Sequence, residues 1–182
     1  MRHGEAVSNT KKIASSWPET FENPLTEKGV LMIEHSAEFL KKILHEQNRN
    51  LDIIIASDIL RTQQTAGIMA KAFGLEVRSD ARLREIDFGV KNGESIEGID
   101  IHYQLEANQE NHRESYEHVL KRVSEFLLDI DKQYEGKTIL LVSHKFTLWV
   151  LEVWVNNIIV EGDMKTALLD QGIGLGQIKE LN

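Results

Sequence analysis

The fold class is decided by one stretch of the chain, Leu51-Asp-Ile-Ile-Ile-Ala56, which leads directly into Ser57-Asp-Ile-Leu-Arg-Thr-Gln-Gln-Thr-Ala66. The first part is a short β-branched run between polar residues, and such a run is typical of a buried parallel strand. The second part opens a helix at Ser57 that we predict to end near Phe73, because Gly74 suits the position just past a helix. A strand that passes at once into a helix is the repeating unit of an α/β sheet.

The same alternation extends outward from this unit over most of the chain. Apolar residues at helical spacing predict further helices from Thr26 to about Glu46, over Ser115–Tyr134 and from about Phe146 to Asn156. Short apolar or alternating runs predict further strands at Glu76–Arg78, Thr138–Ser143 and Ile173–Ile178. We therefore expect an α/β fold, a three-layer α/β/α sandwich with a mostly parallel central sheet.

The chain of 182 residues has the size of one domain. It has two prolines, no internal repeat and no low-complexity tract, so no linker divides it. Residues from about 90 to 114 are polar, rich in Glu, Asn and Gln, and lack a clear period. We therefore expect a single domain over 1–182 with a short excursion at about 90–114.

Composition excludes several classes of function. The net charge of −8 argues against nonspecific nucleic-acid binding, which depends on clustered Lys and Arg. No apolar run reaches ~18 residues, so we expect no membrane span. Cysteine is absent, which excludes disulfides, thiolate zinc sites and cysteine nucleophiles and fits a reducing compartment. We expect a cytoplasmic protein, and the sequence does not indicate its oligomeric state.

Basic and imidazole side chains stand where the predicted strands end. Arg61 lies in the first turn after one strand, His144 directly follows another, and Arg2 and His3 open the chain. Ligands of α/β folds bind beyond the C-terminal ends of the strands. Like charges and desolvation destabilise such a cluster when it is empty, and a bound phosphate dianion relieves both effects. Because no pair of histidines is set in a metal-binding pattern, we expect a phosphate site with no metal and no cofactor.

A series of ordered blocks resembles the histidine phosphatases, a family that includes cofactor-dependent phosphoglycerate mutase and alpha-ribazole phosphatase. The blocks are Arg2-His3-Gly4-Glu5 with Asn9, Pro24-Leu-Thr-Glu-Lys-Gly29, Ser57–Ala66, Leu83-Arg-Glu-Ile-Asp-Phe-Gly89 and Val142-Ser-His144. The Arg2-His3-Gly4 triplet alone is a weak signal, whereas five blocks in the family order across most of the chain are a specific one. The resemblance implies a phosphoglycerate mutase-like fold and metal-independent hydrolysis of a phosphomonoester through a phosphohistidine.

The resemblance also implies a role for each matching residue. His3 is the nucleophile, Glu85 protonates the leaving oxygen and then activates water, and Asn9 adds a hydrogen bond to the phosphate. The residues that hold the transferring phosphoryl group are Arg2, Arg61 and His144. The chemistry is consistent, because a neutral imidazole is a good nucleophile near pH 7 and fixed cations stabilise the charge of the transition state. An acid that works near neutrality needs a raised pKa, which burial provides.

Simpler roles stay open for some of these residues. Asn9 alternatively caps a turn. Glu85 alternatively is a solvated carboxylate or a partner for a neighbouring arginine. We interpret Arg84 as a member of a structural ion pair rather than a ligand.

The chain departs from the family pattern at three places. Relatives have a hydrophobic strand directly before their Arg-His-Gly, whereas only Met1 precedes Arg2 here. We therefore expect a strand of about five to ten residues upstream of Met1, or alternatively another chain or segment in its place. Lys145 stands where glycine is usual, and it either adds positive charge to the pocket or obstructs it. Val90-Lys-Asn-Gly93 stands where relatives commonly have Trp-Glu-Gly, which bears on specificity more than on chemistry.

The function expected from these features is hydrolysis of a small phosphorylated metabolite. Two alternatives stay open: phosphoryl transfer of the phosphoglycerate mutase type, and an inactive phosphate-binding or regulatory module. Glu85 argues against the small phosphohistidine-protein phosphatases, which typically lack this acid, and the short segment between Glu85 and His144 argues against a mutase. The sequence does not rank phosphosugars, nucleotide monophosphates and cobalamin precursors as substrates.

Overall fold

The computed structural model of the protein describes residues 1–97, 112–156 and 172–181. Within these residues, parallel strands form one sheet in the order β2-β1-β3. The strands are β1 (Ile53–Ala56), β2 (Val77–Ser79) and β3 (Ile139–Val142). All of them lie at the positions predicted from the sequence, with β2 displaced by one residue.

Helices follow the strands in the predicted alternation. They are α1 (Val7–Lys11), α2 (Glu27–Glu46), α3 (Leu60–Phe73), α4 (Tyr116–Gln133) and α5 (Lys145–Val155), with short 3-10 turns at Ala81–Leu83 and Gly89–Lys91. Thr26 caps α2 as predicted, because its hydroxyl accepts a hydrogen bond from the Gly29 amide at 3.0 Å. Among the described residues, no helix is long and apolar enough to cross a membrane.

The sheet is buried on both faces. Alternate residues of β1 belong to different hydrophobic clusters, since Ile55 packs with α4 and α5 while Ile54 packs with α2 and α3. The observed architecture is therefore the predicted three-layer α/β/α arrangement.

The helix predicted to open at Ser57 begins later, at Leu60. The two polar residues that were expected to start it are used elsewhere. The Ser57 hydroxyl lies 3.1 Å from His144 Nε2, and the Asp58 carboxylate accepts a hydrogen bond from Arg84 Nε at 2.7 Å. These contacts engage both polar side chains of the connection between β1 and α3, and Ile59, with an extended backbone, precedes the helix without a side-chain cap.

The closing strand predicted at Ile173–Ile178 is wrong. Its alternating pattern contains two glycines, and the chain turns there, with Gly176 at φ 68° and the Gln177 amide donating to Gly174 O at 3.1 Å. Gly176 is in the left-handed region, which breaks an extended strand. The turn nevertheless contacts the start of the chain, because the Gly176 amide donates to His3 O at 3.1 Å.

The first three residues extend the sheet beside the end of β3. The Met1 nitrogen donates to Leu141 O at 2.8 Å, and the His3 amide donates to Ser143 O at 3.1 Å. Arg2 and Ser143 form a parallel bridge. His3 therefore leaves this pairing at the C-terminal edge of the sheet.

A close approach of α2 fixes the chain just after His3. A Cβ atom added to Gly29 would lie 2.0 Å from the Glu5 carbonyl oxygen, and one added to Gly4 would lie 2.8 Å from Gly29 O. Neither position accepts a side chain without a shift of the backbone. Glycine at both positions lets the first turn of α2 press against the segment that carries His3.

An apolar groove lies beside Met1 and β3, and its walls include Leu44, Leu141, Leu148 and Ile178. The strand expected before Met1 lies outside the described residues and stays a prediction.

We expect a chain with about five to ten added Ile, Val, Leu or Tyr residues before Met1 to melt at least about 5 °C higher, because the added strand would pair with β3 and cover the groove.

Thermal unfolding by circular dichroism measures this shift. A Gly/Ser extension of the same length is the control, because it adds chain without the side chains that fill the groove. Equal melting temperatures for the two extended chains would show that no strand adds at this edge.

Candidate active site

The side chains expected to form the site converge at the C-terminal edge of the sheet. His3 follows the short pairing with Ser143, Arg61 lies in the first turn of α3, and His144 directly precedes α5. The His3 and His144 rings meet edge to face with their centroids 5.3 Å apart. Both rings are buried, as is the Arg61 side chain between them.

Arg61 is the centre of this cluster. Its Nε lies 3.3 Å from His3 Nε2, and its Nη2 lies 3.1 Å from His144 Nδ1 and 3.0 Å from Ser15 O. Its Nη1 donates to Ser15 Oγ at 3.2 Å and to Glu19 Oε1 at 3.0 Å. A guanidinium has five N–H groups, so every donor of Arg61 is engaged.

These contacts assign the proton positions of both imidazoles. Arginine only donates, so His3 Nε2 and His144 Nδ1 each present a lone pair to Arg61. The other nitrogen of His3 donates to Gly4 O at 2.7 Å, and the other nitrogen of His144 donates to Ser57 Oγ at 3.1 Å. Burial, reinforced by the Arg61 charge, holds the pKa of each histidine well below 6.5. Both rings are therefore neutral near pH 7.

Arg2 contributes a donor that the described residues do not satisfy. Its Nη1 donates to Ile173 O at 3.2 Å, whereas its buried Nε has no hydrogen-bond partner among the residues that the structure describes. A buried N–H of a cation without an acceptor is costly, and an anion bound beside it relieves that cost.

Glu85 lies beside both arginines of the cluster. Its Oε1 accepts hydrogen bonds from the amides of Ile86 at 3.1 Å and Phe146 at 3.2 Å. Burial raises the pKa of Glu85 above its ordinary value, against the opposing charges of Arg61 and Arg2. The carboxyl group therefore has the environment that an acid working near neutrality needs.

Arg84 forms the structural ion pair expected from the sequence. Its Nε donates to Asp58 Oδ1 at 2.7 Å, and its guanidinium stacks on Trp17 with 3.9 Å to the ring centroid. Arg84 therefore fixes the segment after Ser15 to the edge of the sheet.

Asn9 lies in α1, and its Oδ1 accepts a hydrogen bond from the Ala6 amide at 2.8 Å. This contact is a local cap of α1, which leaves only the amide N–H groups of Asn9 for a ligand. Its role in phosphate binding stays a prediction.

Lys145 is the first residue of α5 and is half-buried. Burial and the Arg2 charge lower the pKa of Lys145, while Glu85 opposes this. Lys145 therefore lies close enough to the cluster to interact with Arg2 and Glu85, and its effect on the pocket, added charge or obstruction, stays a prediction.

The segment that departs from the family pattern holds a loop of the site in place. Asn92 accepts a hydrogen bond from the Ser16 amide at 2.9 Å and donates to Pro18 O at 2.6 Å, and the Phe88 amide donates to Ser16 Oγ at 3.0 Å. This loop brings Ser15 and Glu19 to Arg61. Sequence reasoning missed both residues, because nothing in the local pattern Ser-Ser-Trp-Pro-Glu indicates a contact with Arg61.

Metal ligands do not gather in this site. Among residues 1–97, 112–156 and 172–181, no three His, Asp or Glu side chains are placed to hold a metal ion.

Comparison with known proteins gives the family. The histidine phosphatase superfamily (branch 1) matches residues 1–163. The chain is 34% identical over 160 residues to the probable phosphoglycerate mutase GpmB of Enterobacter sp. (strain 638), covering 83% of this chain and 70% of that protein. The match to the protein of the same name from Yersinia pestis (strain Pestoides F) is 35% identical over 99 residues, covering 54% of this chain and 42% of that protein.

Solved structures give the fold. A mycobacterial glucosyl-3-phosphoglycerate phosphatase is similar with a TM-score of 0.76 and 23% identity, covering 96% of this chain and 84% of that chain. Bacillus stearothermophilus YhfR is similar with a TM-score of 0.74 and 27% identity, covering 87% of this chain and 79% of that chain. The fold class predicted from the sequence is confirmed.

The two buried imidazoles make stability depend on pH. Unfolded histidine binds a proton near pH 6.5, whereas His3 and His144 do so only well below that value, so the unfolded chain takes up more protons as the pH falls through 6.5. We expect the free energy of unfolding to fall by up to about 1.4 kcal/mol per pH unit for each ring between about pH 6.5 and 5.

Urea unfolding in phosphate-free buffer measures this slope. His144→Asn is expected to lose part of it, whereas the control His35→Gln, at an exposed position of α2, is expected to keep it. An unchanged slope in His144→Asn would contradict the neutral state of the buried ring.

Proposed function

Because the chain belongs to the histidine phosphatase superfamily, we propose that it hydrolyses a small phosphomonoester through a phosphohistidine at His3. One observation carries this proposal. His3 donates from Nδ1 to Gly4 O at 2.7 Å and turns the lone pair of Nε2 toward Arg61. A neutral nucleophilic nitrogen beside a buried guanidinium is what phosphoryl transfer to nitrogen requires.

In the first step, His3 Nε2 gives up its contact with Arg61 and attacks phosphorus. The N–P bond forms as the P–O bond to the leaving group breaks. Glu85 donates its proton to the leaving oxygen, and the residues that hold the phosphoryl oxygens are Arg2, Arg61 and His144. The raised pKa of Glu85 supports the acid role, because a protonated carboxyl is needed at this point.

In the second step, a water molecule attacks the phosphohistidine. The Glu85 carboxylate takes a proton from that water, the N–P bond breaks, and inorganic phosphate leaves. Glu85 is then protonated and His3 is neutral, so the site is ready for another substrate. The Asn9 amide N–H adds a hydrogen bond to the phosphate, since its Oδ1 is already engaged.

The composition of the chain bears on its partners and its location. The ligand is a small molecule rather than a nucleic acid, because the net charge of −8 opposes binding to a polyanion. The absence of cysteine fits the cytoplasm. We also propose that the chain is one domain, which the family match over residues 1–163 supports.

A second candidate is phosphoryl transfer of the phosphoglycerate mutase type. The observation that favours it is the 34% identity to a protein named as a probable phosphoglycerate mutase. Incubation with 3-phosphoglycerate separates the two functions, because a hydrolase releases inorganic phosphate whereas a mutase produces 2-phosphoglycerate.

Catalysis is expected to need no divalent metal, because arginines and histidines supply the positive charge and donors at the phosphate. The rate of p-nitrophenyl phosphate hydrolysis is therefore expected to stay the same in EDTA. A rate that falls in EDTA and returns with a divalent ion would overturn the metal-independent mechanism.

Substitutions are expected to separate the nucleophile from the acid. His3→Ala should lower turnover by about a thousandfold or more and abolish acid-labile labelling by a phospho-donor. Glu85→Gln should slow an alkyl phosphate by about a hundredfold or more but p-nitrophenyl phosphate by less than about tenfold, because a poor leaving group needs the proton most.

Steady-state kinetics on both esters measures these effects, with the exposed His35→Gln as the control. Equal losses on the two esters in Glu85→Gln would remove Glu85 from the acid role.

A further inference from the structure

The carboxylate of Glu19 occupies Arg61 in the empty site. Glu19 Oε1 lies 3.0 Å from Arg61 Nη1, and the side chains are 18% and 3% exposed. Charge-assisted bonds of this kind are also those that arginine makes to phosphate oxygens. Every N–H group of Arg61 already has an acceptor, and attack by His3 frees only Nε. A phosphate can therefore bind the Nη1 and Nη2 groups of this guanidinium only if a further acceptor leaves.

The possible acceptors differ in how easily they leave. Ser15 O belongs to the backbone of a loop that Asn92 holds by hydrogen bonds to Ser16 and Pro18. His144 is completely buried and is fixed on its other side by Ser57. Glu19 alone among the Arg61 partners is charged, and its side chain reaches solvent.

The surroundings of Glu19 favour its departure when another anion arrives. Burial raises the pKa of Glu19 and Asp58 adds repulsion, while the Arg61 charge and a hydrogen bond from the Leu60 backbone oppose both. A phosphate dianion that binds Arg61 leaves the Glu19 carboxylate without its cation, with only the Leu60 backbone and water as partners.

We propose that Glu19 is a competing anion built into the phosphate site: it holds Arg61 when the site is empty, yields to the phosphoryl group, and returns as phosphate leaves. This inference rests on the proposed function only in taking phosphate as the ligand. The returning carboxylate lowers the affinity for the product, since Arg61 exchanges one anion for another instead of losing its partner.

The contrasting role is that Glu19 positions Arg61 for phosphate. The two roles predict opposite signs when the charge of Glu19 is removed. Competition predicts tighter phosphate binding, whereas positioning predicts weaker binding, because a loosened guanidinium would have to be ordered by the ligand.

Calorimetric titration of the full chain with inorganic phosphate tests the proposal. Glu19→Gln keeps the shape of the side chain, and we expect it to bind phosphate at least about tenfold more tightly than the wild type, the factor for one modest charge-assisted hydrogen bond. The matched control is Glu22→Gln, which removes the same charge from an exposed position of the same loop and is expected to bind like the wild type. Equal or weaker binding by Glu19→Gln would overturn the proposal.

A second variant, Glu19→Asp, tests the proposal independently if Glu19→Gln misfolds. Glu19→Asp keeps the charge but shortens the side chain by one methylene, so its carboxylate reaches Arg61 less well and phosphate should again bind more tightly. Weaker binding by a folded Glu19→Asp, judged by an unchanged circular dichroism spectrum, would indicate positioning and overturn the proposal.

The kinetic readout separates this inference from the hydrolase proposal. If the protein is a hydrolase, inorganic phosphate should inhibit Glu19→Gln more strongly than the wild type. If no ester is hydrolysed but Glu19→Gln still binds phosphate more tightly, the hydrolase proposal fails and the competing anion stands. If the wild type, Glu19→Gln and Arg61→Ala all bind phosphate with the same affinity, the competing-anion proposal fails, whatever the catalytic activity.

Discussion

A buried guanidinium with no free donor is the constraint on which this site depends. Arg61 is 2% exposed, and a charge removed from water to that degree is stable only when its donors are met. The acceptors come from the start of the chain, from the loop that carries Ser15 and Glu19, and from the end of β3. Folding of these separate segments and assembly of the site are therefore one event.

The register of the sheet brings the partners within reach. Ala56 pairs with Val142, and the Ser57 amide donates to Val142 O at 3.0 Å. The residues that follow the two strands then stand side by side, so the contact between Ser57 and His144 is a direct result of the pairing. A shift of one residue in either strand would turn these side chains to opposite faces of the sheet. The apolar residues that fix the register, such as Ile54 and Leu140, thus also fix the geometry of the imidazoles.

The sequence was informative where periodicity or strand ends govern the structure. Helices α2 and α4 and the buried strands follow from apolar spacing, and the resemblance pointed to His3, Arg61 and His144 before their contacts were visible. The sequence misled where a tertiary contact decides the local structure. Ser57 and Asp58 were expected to begin a helix, but their side chains contact His144 and Arg84 instead. The segment Ile173–Ile178 alternates like a strand, yet Gly176 lets it turn. Glu19 reaches Arg61 only because Asn92 and Arg84 hold its loop, and no local pattern encodes that arrangement.

The pairing of the first residues with late parts of the chain has a consequence for biosynthesis. Met1 and Arg2 leave the ribosome long before their acceptors at Leu141 and Ile173, which follow 140 and 171 residues later. At roughly 5–20 residues per second, this first segment with His3 waits roughly seven to thirty-five seconds for these partners. Contacts so distant in sequence also form late in folding. The His3 imidazole is therefore positioned only after the segment with Ile173 and Gly176 has left the ribosome.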